Sequence, residues 1–89
     1  MRIVAGFKLR DIMGQAAVIG EGVGQVGFDK LITLNHSAAY LWRNIESREF
    51  DVQLLAELLV SEYEVPYDVA LKDAQIVAQG WLELGIVEQ

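Results

Sequence analysis

Cysteine is absent from this 89-residue chain, which excludes disulfide staples and thiolate metal sites together. Histidine and proline each occur once, as His36 and Pro66. A lone histidine with no second histidine or cysteine, and no acidic residue at a recognisable ligand spacing, makes no metal centre. No apolar run approaches the ~20 residues that cross a bilayer. The opening Met1-Arg2-Ile3-Val4-Ala5-Gly6 lacks the length and pattern of a signal peptide, so a cytoplasmic location is expected. Basic residues are scarce as well: seven Lys and Arg stand against 13 Asp and Glu, a net charge of −6. Residues 1–34 carry four basic and three acidic side chains, or +1, whereas residues 35–89 carry three and ten, or −7. Nucleic-acid docking needs Lys and Arg on the docking element, so the second part of the chain argues against it.

Hydrophobic residues make up 53% of the chain, enough to fold rather than stay disordered. The length suits one domain over 1–89. Phe7-Lys8-Leu9-Arg10-Asp11-Ile12 alternates apolar and polar, the signature of a half-buried strand. Met13-Gly14-Gln15 reads as a tight connection into a second strand, Ala16–Ile19. A glycine-rich loop follows, Gly20 to Gly27. A third strand is expected from Phe28 or Asp29 to Leu34.

Beyond it the period changes to helical. Asn35 suits an N-cap, and Ala38, Leu41, Trp42 and Ile45 then mark one face of a helix from His36 to Ile45 or Glu46. Asp51 is the expected cap of a second helix, Val52–Tyr63, with Val52, Leu55, Leu58, Leu59 and Tyr63 inward. Pro66 fits the first turn of a third helix, whose stripe is Ala70, Ala74, Val77, Trp81 and Leu84, with Gly85 ending it. Three strands followed by three helices predict an α+β fold, winged helix-turn-helix-like, with a three-stranded antiparallel sheet.

Two local patterns invite a chemical reading and fail it. Gly22-Val23-Gly24-Gln25-Val26-Gly27 spells a dinucleotide fingerprint, but that motif works only where its glycines open a helix facing the pyrophosphate; here a strand is expected next. His36 and Ser37 are adjacent, and neighbours on a helix point in different directions, so no oriented base and nucleophile result. No enzyme, cofactor or metal is expected. Helix three offers DNA only Lys72 against Asp68, Asp73 and Glu83.

The order of motifs, however, resembles a known family. The apolar-basic strand Phe7–Ile12, the Leu34-Asn35 junction, the helix Ala38-Ala39-Tyr40-Leu41-Trp42, the break Tyr63-Glu64-Val65-Pro66, and Asp73 followed by Ala74, Val77, Ala78, Trp81, Gly85, Ile86 and Val87 are similar to the PqqD-like family. These are RiPP recognition elements, peptide-binding modules of ribosomal-peptide maturation. The residues at 74 and 77 are smaller than usual there and Trp81 is larger, as if Trp81 filled the volume.

The resemblance implies a non-catalytic module that captures a precursor peptide's leader by β-strand addition and presents it to a modifying enzyme, often a radical SAM maturase. The physical basis is an unpaired outer strand edge, a template for another strand. Here that edge is Asp29, Lys30, Leu31, Ile32 and Thr33, and Pro in place of Ile32 is expected to damage it. Apolar residues on both faces of this strand predict that both are covered, one by a helix and the other with the help of a bound peptide. On helix three, Lys72, Ile76, Gln79 and Gly80 share a side away from the main stripe and complete the expected peptide site; alternatively, Ile76 and Gly80 pack on the sheet or on helix one. Lys8, Arg10 and Lys30 suggest an acidic leader. A monomer or an edge-strand dimer is expected, with no membrane or nucleic-acid partner. The alternative function is a protein-interaction or regulatory module of winged-helix fold without a leader peptide, with DNA binding third.

Overall fold

A computed structural model describes residues 1–20 and 31–89. The elements run β1 (Arg2–Ile3), β2 (Phe7–Ile12), β3 (Gln15–Gly20), β4 (Leu31–Thr33), α1 (His36–Ile45), α2 (Val52–Tyr63), α3 (Tyr67–Leu84) and β5 (Val87–Glu88). Strands β2, β3 and β4 form an antiparallel sheet in that order, ahead of the three helices, which is the expected α+β class. The glycine fingerprint at 22–27, Asp29, Lys30 and the expected start of the third strand lie outside the described residues.

Local chemistry explains most boundaries. Met13 and Gly14 both have positive φ, at 54° and 86°, and form a two-residue hairpin loop between the paired Ile12 and Gln15. Such turns match the right-handed twist of the strands they join. Asp11 Oδ1 accepts the Gly14 N–H at 2.8 Å and secures the turn. Asn35 Oδ1 accepts the Ala38 N–H, and Asp51 Oδ1 the Leu54 N–H, each at 2.8 Å, so α1 and α2 start at the expected caps. Pro66 sits one position earlier than expected, at the N-cap of α3, and Gly85 ends that helix at a φ of 79°.

Register places Leu9, Val18 and Ile32 in one cross-strand row on the core side. Helix α1 lies against β2 and β3, and α2 and α3 make the most extensive helix pair. Their closeness follows from Ala70, Ala74 and Ala78, all buried at i, i+4 and i+8 of α3. Beyond this stripe Trp81 meets Trp42 edge to face, with ring centroids 5.3 Å apart.

One expectation needs correction. Leu84, assigned to the core stripe, is 43% exposed; the chain turns at Gly85, and the buried Ile86 and Val87 take the core position instead. On β4, Leu34 is buried and Ile32 half-buried on the face that the protein covers, whereas Leu31 is 56% exposed and Thr33 is open on the other. No regular periodicity announced β1 and β5, which pair antiparallel with Arg2 opposite Glu88. Arg2 reinforces that ribbon through Glu88 at 3.1 Å and ties it to Glu49 at 3.2 Å, while the Phe50 N–H donates to the Met1 carbonyl at 2.8 Å.

Extra methylenes forced into a close-packed seam cost about 1–3 kcal/mol. Ala74→Leu is therefore expected to lower the unfolding free energy by that amount, read as a lower urea midpoint at unchanged slope.

Candidate functional site

The outer edge of β4 is organised by its pairing. The Leu34 N–H donates to the Ala16 carbonyl at 2.9 Å, in the same register that sets Ile32 opposite Val18 and Thr33 opposite Ala17. Inward and outward groups alternate along an antiparallel strand. The main-chain groups of Ile32 and Leu34 therefore face β3, and those of Leu31 and Thr33 face away. No further strand among the described residues pairs with β4. Ile32 is consequently the wrong place to test this edge, because proline there removes a bond within the sheet; Thr33 carries an outward N–H.

Immediately after β4 the chain enters a groove of about 510 Å³. Asn35, Ser37 and Leu41 contribute from the start of α1, and Leu59, Tyr63 and Val65 from the end of α2 and the turn beyond it. Asp73, Ile76 and Val77, at i, i+3 and i+4 on α3, complete the lining. Leu41 and Leu59 are buried members of the core, whereas Ile76 is 66% exposed, a large aliphatic side chain left in solvent. Ser37 Oγ donates to Asn35 Oδ1 at 3.2 Å, so the capping side chain also sets the polar end of the groove.

Tyr63 is held from two sides. Its ring is edge-on to Tyr40 at 5.9 Å and to His36 at 6.3 Å. Burial raises the Tyr40 phenol above its ordinary value, with Glu62 and Tyr63 adding to the effect, so Tyr40 acts here as a neutral ring. The Tyr63 hydroxyl is buried and has no hydrogen-bond partner among the described residues.

A second, more open hollow of about 550 Å³ lies along α3 between Lys72, Gln75, Ile76, Gln79, Gly80 and Glu83. The helix-three residues expected in the site therefore do share one surface, and Ile76 borders both hollows. The alternative that Ile76 packs inside the fold is overturned by its exposure. Leu31, Ile32 and Thr33 line neither hollow; Asn35 and Ser37 are the residues that carry the end of β4 to α3. Sequence reasoning missed Asn35, Ser37, Leu41, Leu59, Tyr63, Val65, Asp73 and Val77 as groove residues. The available signal was the coincidence of a cap, an inward stripe and the Tyr63–Pro66 break around one point.

An open strand edge beside an apolar groove is physically a docking surface. Among the described residues no cluster of three or more His, Cys, Asp or Glu is placed to hold a metal ion, and no helix is long and apolar enough to cross a membrane. The family described as coenzyme PQQ synthesis protein D (PqqD) matches residues 21–87. The chain belongs to the PqqD family. No curated protein and no solved structure matches it.

A Cβ placed on Gly80 would meet nothing within 4 Å, so no backbone of the described chain requires glycine there. Alanine is favoured over glycine within a helix by about 1 kcal/mol. Gly80→Ala is accordingly expected to raise the unfolding free energy by roughly that amount, measured by urea denaturation.

Proposed function

We propose that this chain is a non-catalytic peptide-binding module that captures the leader segment of a ribosomally made precursor peptide by strand addition at β4 and presents it to a modifying enzyme. The observation that carries this reading is the outer edge of β4, where the Leu31 and Thr33 main-chain groups face outward beside a groove walled by Ile76. Membership in the PqqD family points to peptide maturation, and a radical SAM maturase is the enzyme class proposed for the partner. Main-chain bonds to the edge give generic affinity, and the groove selects side chains. Asp29 and Lys30 extend the proposed edge in sequence, while Lys72, Gln79 and Gly80 extend the site along α3. A tethered leader raises the effective concentration of the attached core peptide at the enzyme. The module works in the cytoplasm, as one domain, with no cofactor of its own.

One observation favours a second reading, a protein-interaction module that takes no leader. Met13 at the hairpin tip is fully exposed in a left-handed conformation that few side chains adopt cheaply. A contact there needs no strand edge.

The test is a titration of the isotope-labelled chain with the small peptide encoded nearest its gene. Thr33→Pro is expected to weaken binding about tenfold, the scale of one lost main-chain hydrogen bond, whereas Thr33→Ala leaves it near the parent value. Binding indifferent to proline at 33, with the fold intact by NMR, rejects strand addition. Shifts confined to the Ile12–Met13 tip on adding the partner enzyme support the second reading.

A further inference from the structure

From the charges around the groove we infer that its ligand is a cationic peptide segment: a bulky apolar residue that enters beside Ile76, with Lys or Arg close by in sequence to meet Asp73. The inference rests on the peptide-binding reading above and names the kind of peptide taken.

Asp73 lines the groove and is exposed, and its carboxylate has no hydrogen bond or ion pair with any described residue. The ion pairs among the described residues lie elsewhere, where Arg2 and the terminal amino group meet Glu49 and Glu88. From Val52 to Leu84, the span of α2 and α3, there are six acidic residues and a single base, Lys72. Lys72 lines the outer hollow and not the groove. Among the described residues, Asp73 is the one charged residue that lines the groove.

The basic residues of the sheet do not offset this field. Lys8 and Arg10 lie on β2, the strand farthest from β4. Strands are spaced about 4.8 Å apart, so a strand added outside β4 runs roughly 14 Å from β2. Physiological salt screens charges over about 8 Å. Register also places Lys8 in the row of Ile19 and Leu31, on the sheet face opposite the core-side row that leads to the groove. Asp29 and Lys30 sum to zero. The acidic leader suggested by Lys8, Arg10 and Lys30 is therefore replaced by a basic one.

The experiment is a display selection of random short peptides against the intact chain, followed by affinity measurements on synthetic copies of the enriched clones. Enrichment of an apolar residue with neighbouring Lys or Arg is expected, with binding that weakens as salt rises. Asp73→Asn should weaken those clones by up to about fivefold, the upper end for one exposed ion pair. Asp73→Lys should reverse the preference between a Lys-bearing clone and its Glu counterpart, an outcome that a purely structural role for residue 73 would not produce. Enriched peptides that are acidic or uncharged, bind through Ile76 as shown by loss on Ile76→Asp, and ignore Asp73→Asn would overturn the charge inference and leave peptide capture standing. A selection that enriches nothing, with the fold intact, removes the peptide-binding reading and this inference with it.

Discussion

The contact between Trp42 and Trp81 determines how far α1 stands from α3. Both rings are buried, and their edge-to-face geometry sets the separation of the two helices from inside. Such pairs contribute about 0.5–1.5 kcal/mol beyond the area they bury, but their geometric effect reaches further. Leu41 precedes Trp42 on α1, and Val77 lies one turn before Trp81 on α3; both line the groove. The groove therefore lies next to the indole pair. Small residues at 70, 74 and 78 bring α2 close to α3, while the two indoles keep α1 and α3 apart, and the hollow opens between these opposing tendencies.

This arrangement divides α3 into faces with different duties. The alanine face supplies packing and tolerates little change. The face carrying Ile76 and Gly80 is largely open to solvent, so its exposed aliphatic side chain represents a cost in water that folding alone does not explain. Membership in the PqqD family supplies a reason for such a surface, and β4 supplies the second element: an outer edge that no other described strand pairs with.

Much of the fold was legible because its signals are local. Asn35 and Asp51 mark helix starts through their own side chains, Gly85 marks an end through its backbone, and Phe7–Ile12 shows its alternation without help from distant residues. Features that depend on distant residues were not legible. The β1–β5 ribbon joins two residues at each end of the sequence, too few for a period to emerge, and its Arg2–Glu88 pair means nothing until the ends meet. The exposure of Leu31 could not be read from β4, because it depends on where the helices fail to reach. Ile76 and Gly80 were correctly grouped on one side of α3, yet whether that side faced protein or solvent was undecidable from a helix apolar on several sides. The groove was harder still. Leu59 and Tyr63 read as core from their spacing, and only the joint placement of three helices turns core residues into the lining of a cavity.

The pairing of β1 with β5 has an architectural consequence. Arg2 and Glu88 lie opposite each other in an antiparallel ribbon, where facing Cα atoms are about 4.5–5.5 Å apart. Entry and exit of the chain thus share one corner of the fold, separated by roughly the gap across an ordinary surface turn. A host polypeptide interrupted at a single loop would accept this fold as a graft without its own strands being pulled apart.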